Sequence, residues 1–412
     1  MGVSIIEGSK ADRVATALEL IAAAQVAGVE TLDVKAIQQI TRAGLASKFF
    51  NYGDQISPKW NPDGGATEYD YDLDVVAFLD AVNALGETKP AMWLQSHWGL
   101  PSVQYDASEA IWACAEPLEA GTYYFKFGDG TGKVGKNKVY QFTLGHGLPV
   151  GGQIVIGTVD SFYIWDGAGR AVSDWRVYTF SSPKSVTPVD GPVVLTDITS
   201  ETPTGTNLGT LSISTKYSAV GGVLNSLQRA LMGYGRWSQC GVRQWLNSDK
   251  PAGQWWEPQN PFDRPPQQLA TMRGFLAGLP ADFLAIVQPV RVVSVLNNVT
   301  DSDIGESETT IDRFFLPSLE QEYISPQVSG VEGAYWPYWK ERLGLSNPQA
   351  TGTIVANHIR YTIENHNSSQ IVRLRTAHPD NAFASWTVRK EGYAYSYHVA
   401  NAYRSVPACV IC

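Results

Sequence analysis

Four tyrosines, Tyr393, Tyr395, Tyr397 and Tyr403, stand in the thirty residues from Thr376 to Ser405, where a chain with 19 Tyr in 412 residues would place one or two. The chemistry they suggest is recognition. A Tyr ring offers a large, stiff surface with a hydroxyl at its tip and few rotors to freeze, and surrounding His, Asn and Ser residues add adaptable hydrogen bonds. On a strand, Tyr393, Tyr395 and Tyr397 share one face, so they either project together toward a ligand or are jointly core.

Other reactive residue types have weaker patterns. A glycosidase reading would draw on Glu320, Glu322, Asp312 and Asp380, and it needs two carboxylates held about 5 to 10 Å apart over a saccharide cleft. Nothing in the spacing singles out such a pair. The glycine-rich GDGTGKVG around Gly128 lies between alternating apolar runs and reads as a hairpin loop, because a phosphate loop needs a strand-to-helix context. Cys114, Cys240, Cys409 and Cys412 are scattered, and the terminal CxxC has no following helix to activate a thiol; they read as buried thiols. His358, His366, His378 and His398 crowd the C-terminal region without metal-ligand spacing, so neither a metal nor a cofactor is expected.

Composition bounds the partners. A chain with 44% hydrophobic and 17% charged residues is globular, and 412 residues are most simply two or three domains. A net charge of −9 lacks the basic field that phosphate binding requires, so no nucleic acid is expected. Arg373, Arg375, Arg389 and Arg404 read as solvating strands or pairing with carboxylates. No apolar run reaches about eighteen residues, so no membrane span is expected. The opening residues show no basic stretch or small-residue cleavage pattern, so no signal peptide is expected either.

The elements that would position these residues give an α+β chain. Val14, Leu18, Ile21 and Ala22 recur at helical spacing, and Asp33 reads as the N-cap of a second helix carrying Val34, Ile37 and Ile40. Residues 1–48 thus form N-terminal helices, an attachment segment expected to dock on a partner subunit or particle rather than on the chain's own later domains. Residues 49–190 carry about eight alternating aromatic runs (among them VVAFL, MWL, TYYFKF, KVYQFTL, SFYIWDG and WRVYTF), the pattern of an antiparallel β-sandwich-like middle domain. Residues 191–216 follow as a linker. In 217–412, AVGGVLNSLQRALMGYG and LATMRGFLAGLPADFLAI predict helices, WSQCGVRQWLNSD predicts a turn into a short helix, and terminal strands follow. Trp237, Trp245, Trp255, Trp256, Trp336 and Trp339 would anchor the long irregular middle.

WSQCGVRQWLN, NPFDRPP, FFLPSLEQEY, YWPYWKERLG, VRLRTAHPDNAFASWTVRKEG and YRSVPACVI, in that order over Tyr234 to Cys412, resemble a domain of uncharacterised function from phages and prophages of gut bacteria. VRLRTAH stands where its members carry a WLRSP-like strand, and SVPACVI where they carry VRPALVI. The stretch from MWLQSHWGL to TYYFKFGD is similar to the β-domain that accompanies this family. The resemblance implies a C-type-lectin-like domain over 217–412, the architecture used by variable proteins of diversity-generating retroelements, including phage tropism determinants. It also implies ligand contacts near the C-terminus.

A rigid sheet tolerates exposed substitutions at less than about 0.5 kcal/mol each, so binding there can be tuned without loss of fold. Val372, Leu374, Trp386, Val388 and Val406 to Ile411 would be its framework strands. The candidate contacts are His378, Asp380, Asn381, Phe383, Ser385, Tyr393, Tyr395, Tyr397, His398, Asn401 and Tyr403. Tyrosines would be anchors and smaller polar groups an adjustable rim. The expected protein is a phage or prophage virion component made in the host cytoplasm and binding a host cell-surface protein or glycan. It would join other virion proteins through its N-terminal part and form a homo-oligomer, a trimer among the options. The alternatives are a capsid decoration or fibre subunit without variable binding, and a glycan-degrading phage enzyme.

Overall fold

The structure, a computed structural model, describes residues 34–109, 119–120, 232–260, 263–298 and 307–412, together with the backbone of nine strands between 112 and 207. Its described helices are α1 (Val34–Arg42), α2 (Ala46–Phe49), α3 (Gly241–Leu246), α4 (Ala281–Ile286) and α5 (Pro337–Leu343). Outside the region 112–207, the longer strands and their close partners are β1 (Gln55–Ile56), β2 (Leu73–Phe78), β3 (Met92–Ser96), β4 (Val103–Gln104), β5 (Val290–Val295), β6 (Ser307–Asp312), β7 (Phe314–Phe315), β8 (Val372–His378), β9 (Asn381–Val388), β10 (Ala394–His398), β11 (Ala402–Ser405) and β12 (Ala408–Ile411). Few short helices and several largely antiparallel sheets make the chain α+β.

Two five-stranded sheets are each completed by strands from widely separated parts of the chain. The first has the order β1-β2-β3-β12-β7 and is antiparallel throughout. Strand β12 lies inside it, pairing Ala408 with Gln95 and Ile411 with Met92 on one side and Cys409 with Phe314 on the other. All four of its residues are buried, which is why ACVI reads as continuous apolar sequence rather than as alternation. The second sheet has the order β10-β9-β8-β11-β4, with one parallel pair between β8 and β11. Its edge strand β4 pairs Tyr403 with Val103.

The boundaries expected at 190 and 217 do not separate these strands. Residues 55–104 are built into the sheets of the C-terminal region, and one apolar cluster joins Trp60, Tyr71, Leu73 and Leu94 to Trp245, Phe275, Phe314 and Val410. Phe275 sits at its centre, with ring centroids 5.4 Å from Trp60, 5.5 Å from Trp245 and 5.0 Å from Phe314. Between 112 and 207 the alternating runs do form strands, including Gly121–Lys126, Lys138–Leu144, Gln153–Thr158, Ser161–Trp165 and Arg176–Phe180, arranged in two further antiparallel sheets.

Two helical expectations change. Helix α1 buries Ala36, Ile37 and Ile40 against its own chain, and Gln38 Nε2 and Arg42 Nε both donate to the Cys412 carbonyl, each at 3.2 Å. It packs on α4 and β12 rather than offering this face to a partner. The stretch LATMRGFLAGLPADFLAI is not one helix but two 3₁₀ turns, Gln267–Ala270 and Phe275–Gly278, followed by α4. Close approach interrupts it: a Cβ on Gly274 would lie 2.2 Å from the Ser248 carbonyl oxygen, and Pro280 then stops any continuation. The helix expected over 11–26 lies outside the described residues, as do residues 219–231 of the one expected over 219–235, of which 233–235 are not helical.

Five of the six anchoring tryptophans, Trp237, Trp245, Trp255, Trp336 and Trp339, are buried. Trp256 is half-buried.

Candidate ligand-binding face

The second sheet has two unlike faces. On one, Val372, Leu374, Trp386, Val388, Ala394 and Val406 pack with Leu319 and Ile324 into a buried cluster. Alternation sends their neighbours the other way, where Tyr395 pairs across the sheet with Thr387 and Tyr397 with Ser385. Here Tyr395 is 51% exposed, and Tyr393, Tyr397 and Tyr403 are half-buried. Their rings form a ribbon, with centroids 5.4 Å apart for Tyr395–Tyr397 and 5.2 Å for Tyr397–Tyr403.

A tight hairpin between β9 and β10 sets this ribbon in place. In RKEGY the Arg389 N–H donates to the Tyr393 carbonyl and the Gly392 N–H to the Arg389 carbonyl, both at 2.8 Å. Gly392 has φ +86, and a Cβ there would meet the Val355 carbonyl oxygen at 2.2 Å. Replacing Gly392 by Ala combines a left-handed backbone with a clash, so Gly392→Ala should destabilise by roughly 2 kcal/mol or more. The midpoint of urea unfolding reads this directly, and an unchanged midpoint would refute it.

The turn also carries Arg389 back over the rings. Its guanidinium carbon lies 5.2 Å from the Tyr393 centroid, 5.8 Å from Tyr395 and 5.4 Å from Tyr397. Beneath the ribbon Arg373, buried, donates to the carbonyls of Tyr397 and His398 at 2.9 Å and of Asn401 at 3.2 Å, and to Ser385 Oγ at 3.2 Å. Its guanidinium carbon is 4.8 Å from the Tyr403 ring centroid. Arg373 thereby staples the loop that joins β10 to β11, and burial pushes its pKa down to about 10. Burial pushes the Tyr397 hydroxyl up, with Arg389 opposing.

The eleven candidate residues divide by position. Tyr393, Tyr395, Tyr397 and Tyr403 come together, with His398 and Asn401 exposed in the adjoining loop. Phe383 and Ser385 do not belong to the accessible surface: Phe383 is 8% exposed and Ser385 0%, the latter covered by Arg373. They support the face from below. His378, Asp380 and Asn381 lie at the β8–β9 turn, where His378 pairs with Asn381, four residues along β9 from Ser385, or roughly 13 Å at strand rise. There His378 stacks on Trp386 at 5.5 Å, its Nδ1 accepts the Asp380 N–H at 3.1 Å, and Asp380 is exposed. Arg373 and Arg389, read from sequence as solvating strands or pairing with carboxylates, are the cations that organise the face, and Arg389 does lie 3.4 Å from the Glu391 carboxylate. RKEGY held the signal, since a three-residue hairpin loop with Gly at its end sets Arg389 opposite Tyr393.

The carboxylates considered for glycan hydrolysis are mostly engaged inside the protein. Asp312 accepts from Trp237 Nε1 at 2.9 Å and Arg243 Nε at 2.7 Å. Glu320 accepts the N–H groups of Gly330 and Glu332. Glu322 accepts from Gln95, Arg360 and the His358 ring. All three are buried. Cys240, Cys409 and Cys412 are buried free thiols, and burial pushes all three thiol pKa values up. Among the described residues no group of three or more His, Cys, Asp and Glu is placed to hold a metal ion. No helix among them is long and apolar enough to cross a membrane.

Residues 209–411 match the family model described as "Domain of unknown function (DUF6273)". No curated protein matches the chain, and no solved structure does.

Proposed function

We propose that this chain is a binding protein whose C-terminal sheet presents a tyrosine-rich face to ligands on a host cell surface. The observation that carries the reading is the asymmetry of one sheet: a packed apolar core on one side and, on the other, a ribbon of accessible tyrosines stapled by a buried arginine. Rigid aromatic anchors lose little conformational freedom on binding, so such a face is already organised for contact. Exposed His398 and Asn401 supply the polar rim. We read the region as C-type-lectin-like in architecture and its setting as a phage or prophage virion, on the strength of the motif resemblance. Diversification of the exposed loop by a retroelement belongs to the same reading.

The test is adsorption of the fluorescently labelled full chain to a panel of gut bacterial cells. The unaltered protein should bind at least one strain. The triple replacement Tyr393→Ala, Tyr395→Ala and Tyr397→Ala should lower that binding by roughly a hundredfold, since each anchor is worth about 1 kcal/mol or more. Its melting temperature should stay close to that of the unaltered chain, because the rings lie outside the core. Undiminished adsorption of the triple variant would overturn the proposal, as would no adsorption to any strain.

A further inference from the structure

The guanidinium of Arg389 is held over three rings and yet makes no hydrogen bond among the described residues. Its Nε lies 3.4 Å from Glu391 Oε2, an ion-pair distance at which neither atom has a hydrogen-bond partner. The guanidinium carbon lies 5.2–5.8 Å from the three ring centroids, and the two terminal nitrogens are each a pair of donors in a planar fork. Behind the ribbon Arg373 adds a second guanidinium. The groups that act on it electrostatically are Tyr403, Tyr105 and Cys240. In a chain of net charge −9, with 40 acidic and 31 basic side chains, this face gathers two guanidiniums, with the Glu391 carboxylate beside the first.

From this geometry we propose that the ligand is a carboxylate-bearing saccharide. Its sugar rings lie along the Tyr395–Tyr397–Tyr403 ribbon, and a ring carboxylate takes both terminal nitrogens of Arg389. The inference rests on the binding reading above and narrows it to a chemical class. Three rings in succession, with centroids 5.4 and 5.2 Å apart and planes inclined by 60° and 58°, present aromatic faces and edges in turn to the apolar C–H groups of linked sugars. Tyr hydroxyls at the rim meet the sugar hydroxyls. A planar fork pairs bidentately with a carboxylate, and a carboxylate fixed to a sugar ring loses fewer rotors than one at the end of an Asp or Glu side chain. That difference favours an acidic saccharide over an acidic peptide on so rigid a platform.

Calorimetric titration of the full chain tests this with five probes: hexagalacturonate, its fully methyl-esterified form, 3′-sialyllactose, its methyl ester, and hexaglutamate. At least one of the two acidic saccharides should bind. Removing the charge should cost roughly tenfold or more, read in each case from the methyl ester. Arg389→Gln should lose the same factor and thereby erase the preference for the acid over its neutral counterpart, while Arg389→Lys keeps part of it. Tyr395→Ala should weaken acid and neutral forms alike. Equal affinity for acid and neutral forms, an undiminished Arg389→Gln variant, binding of hexaglutamate alone, or no binding of either acidic saccharide would each overturn the proposal. Cell adsorption that depends on Tyr393, Tyr395 and Tyr397 but is not competed by the acidic sugars would remove this inference and leave the binding function standing.

Discussion

Expressed without residues 34–108, the segment 209–412 is expected to fail to fold. The sheet order is the reason: β12 lies between β3 and β7, and removing β3 leaves it with only the two-residue partner β7. The second sheet loses its edge strand β4, which pairs with the strand bearing Tyr403. The core loses Trp60, Tyr71, Leu73, Val75, Met92, Leu94, Leu100 and Tyr105, all buried. At roughly 1.5–3 kcal/mol for each large apolar side chain, the loss is as large as or larger than the 5–15 kcal/mol by which a folded domain is ordinarily stable. Polar partners go as well, since Asp74 accepts from Tyr338 Oη and Gln95 bridges Trp339 and Glu322. Far-UV and near-UV circular dichroism with urea titration checks the outcome. A cooperative transition and a native near-UV spectrum from the fragment would refute it. The segment that matches the family model would then be shown to complete its sheets by other means.

What was legible in the chain was local. The i, i+2 spacing of Tyr393, Tyr395 and Tyr397 correctly gave a shared strand face, and Ala394 between them lies in the opposite core. Helix α1 was legible from Val34, Ile37 and Ile40, and the strands between 121 and 180 from alternation. The pattern could not show what covers part of a face. Ser385 and Phe383 alternate on β9 with residues of the apolar core, but Arg373 caps Ser385 and Tyr234 packs in the same buried cluster as Phe383. Arg373 is twelve residues from Ser385 and over a hundred from Tyr234. Nor does any local signal place β12 beside β3, a pairing between Ala408 and Gln95 across more than three hundred residues. Composition shifts past Phe49 and after Tyr217 suggested domain boundaries, whereas the sheets ignore the latter because burial, rather than texture, decides which strands pair.

Replacing Glu322 by Ala should destabilise the protein by about 3–5 kcal/mol, the range for stripping one partner from a buried ion pair. Glu322 is fully buried and accepts from Arg360 Nη2 at 2.9 Å, from Gln95 Nε2, and lies 2.8 Å from His358 Nε2. Trp339 closes the cluster, stacking on His358 at 5.0 Å with the Arg360 guanidinium 3.9 Å from its ring centroid. Without the carboxylate, Arg360 would remain buried and unpaired. Burial alone would raise the Glu322 pKa, but the Arg360 charge and the His358 hydrogen bond outweigh it and hold the group at about 2, against an ordinary 4.5. The sign follows from proton counts: between pH 4.5 and 2 the unfolded chain carries a proton on Glu322 that the folded chain does not. The stabilisation is therefore complete above the ordinary carboxyl range and is lost as pH falls toward 2. Between pH 6 and pH 3 this one group should contribute about 2 kcal/mol of lost stability. Glu322→Gln cannot titrate, so its stability should fall by about that much less over the same interval. Urea unfolding of both proteins at the two pH values measures the difference directly, and parallel pH dependences would show that Arg360 and His358 do not hold the Glu322 carboxylate in its charged form.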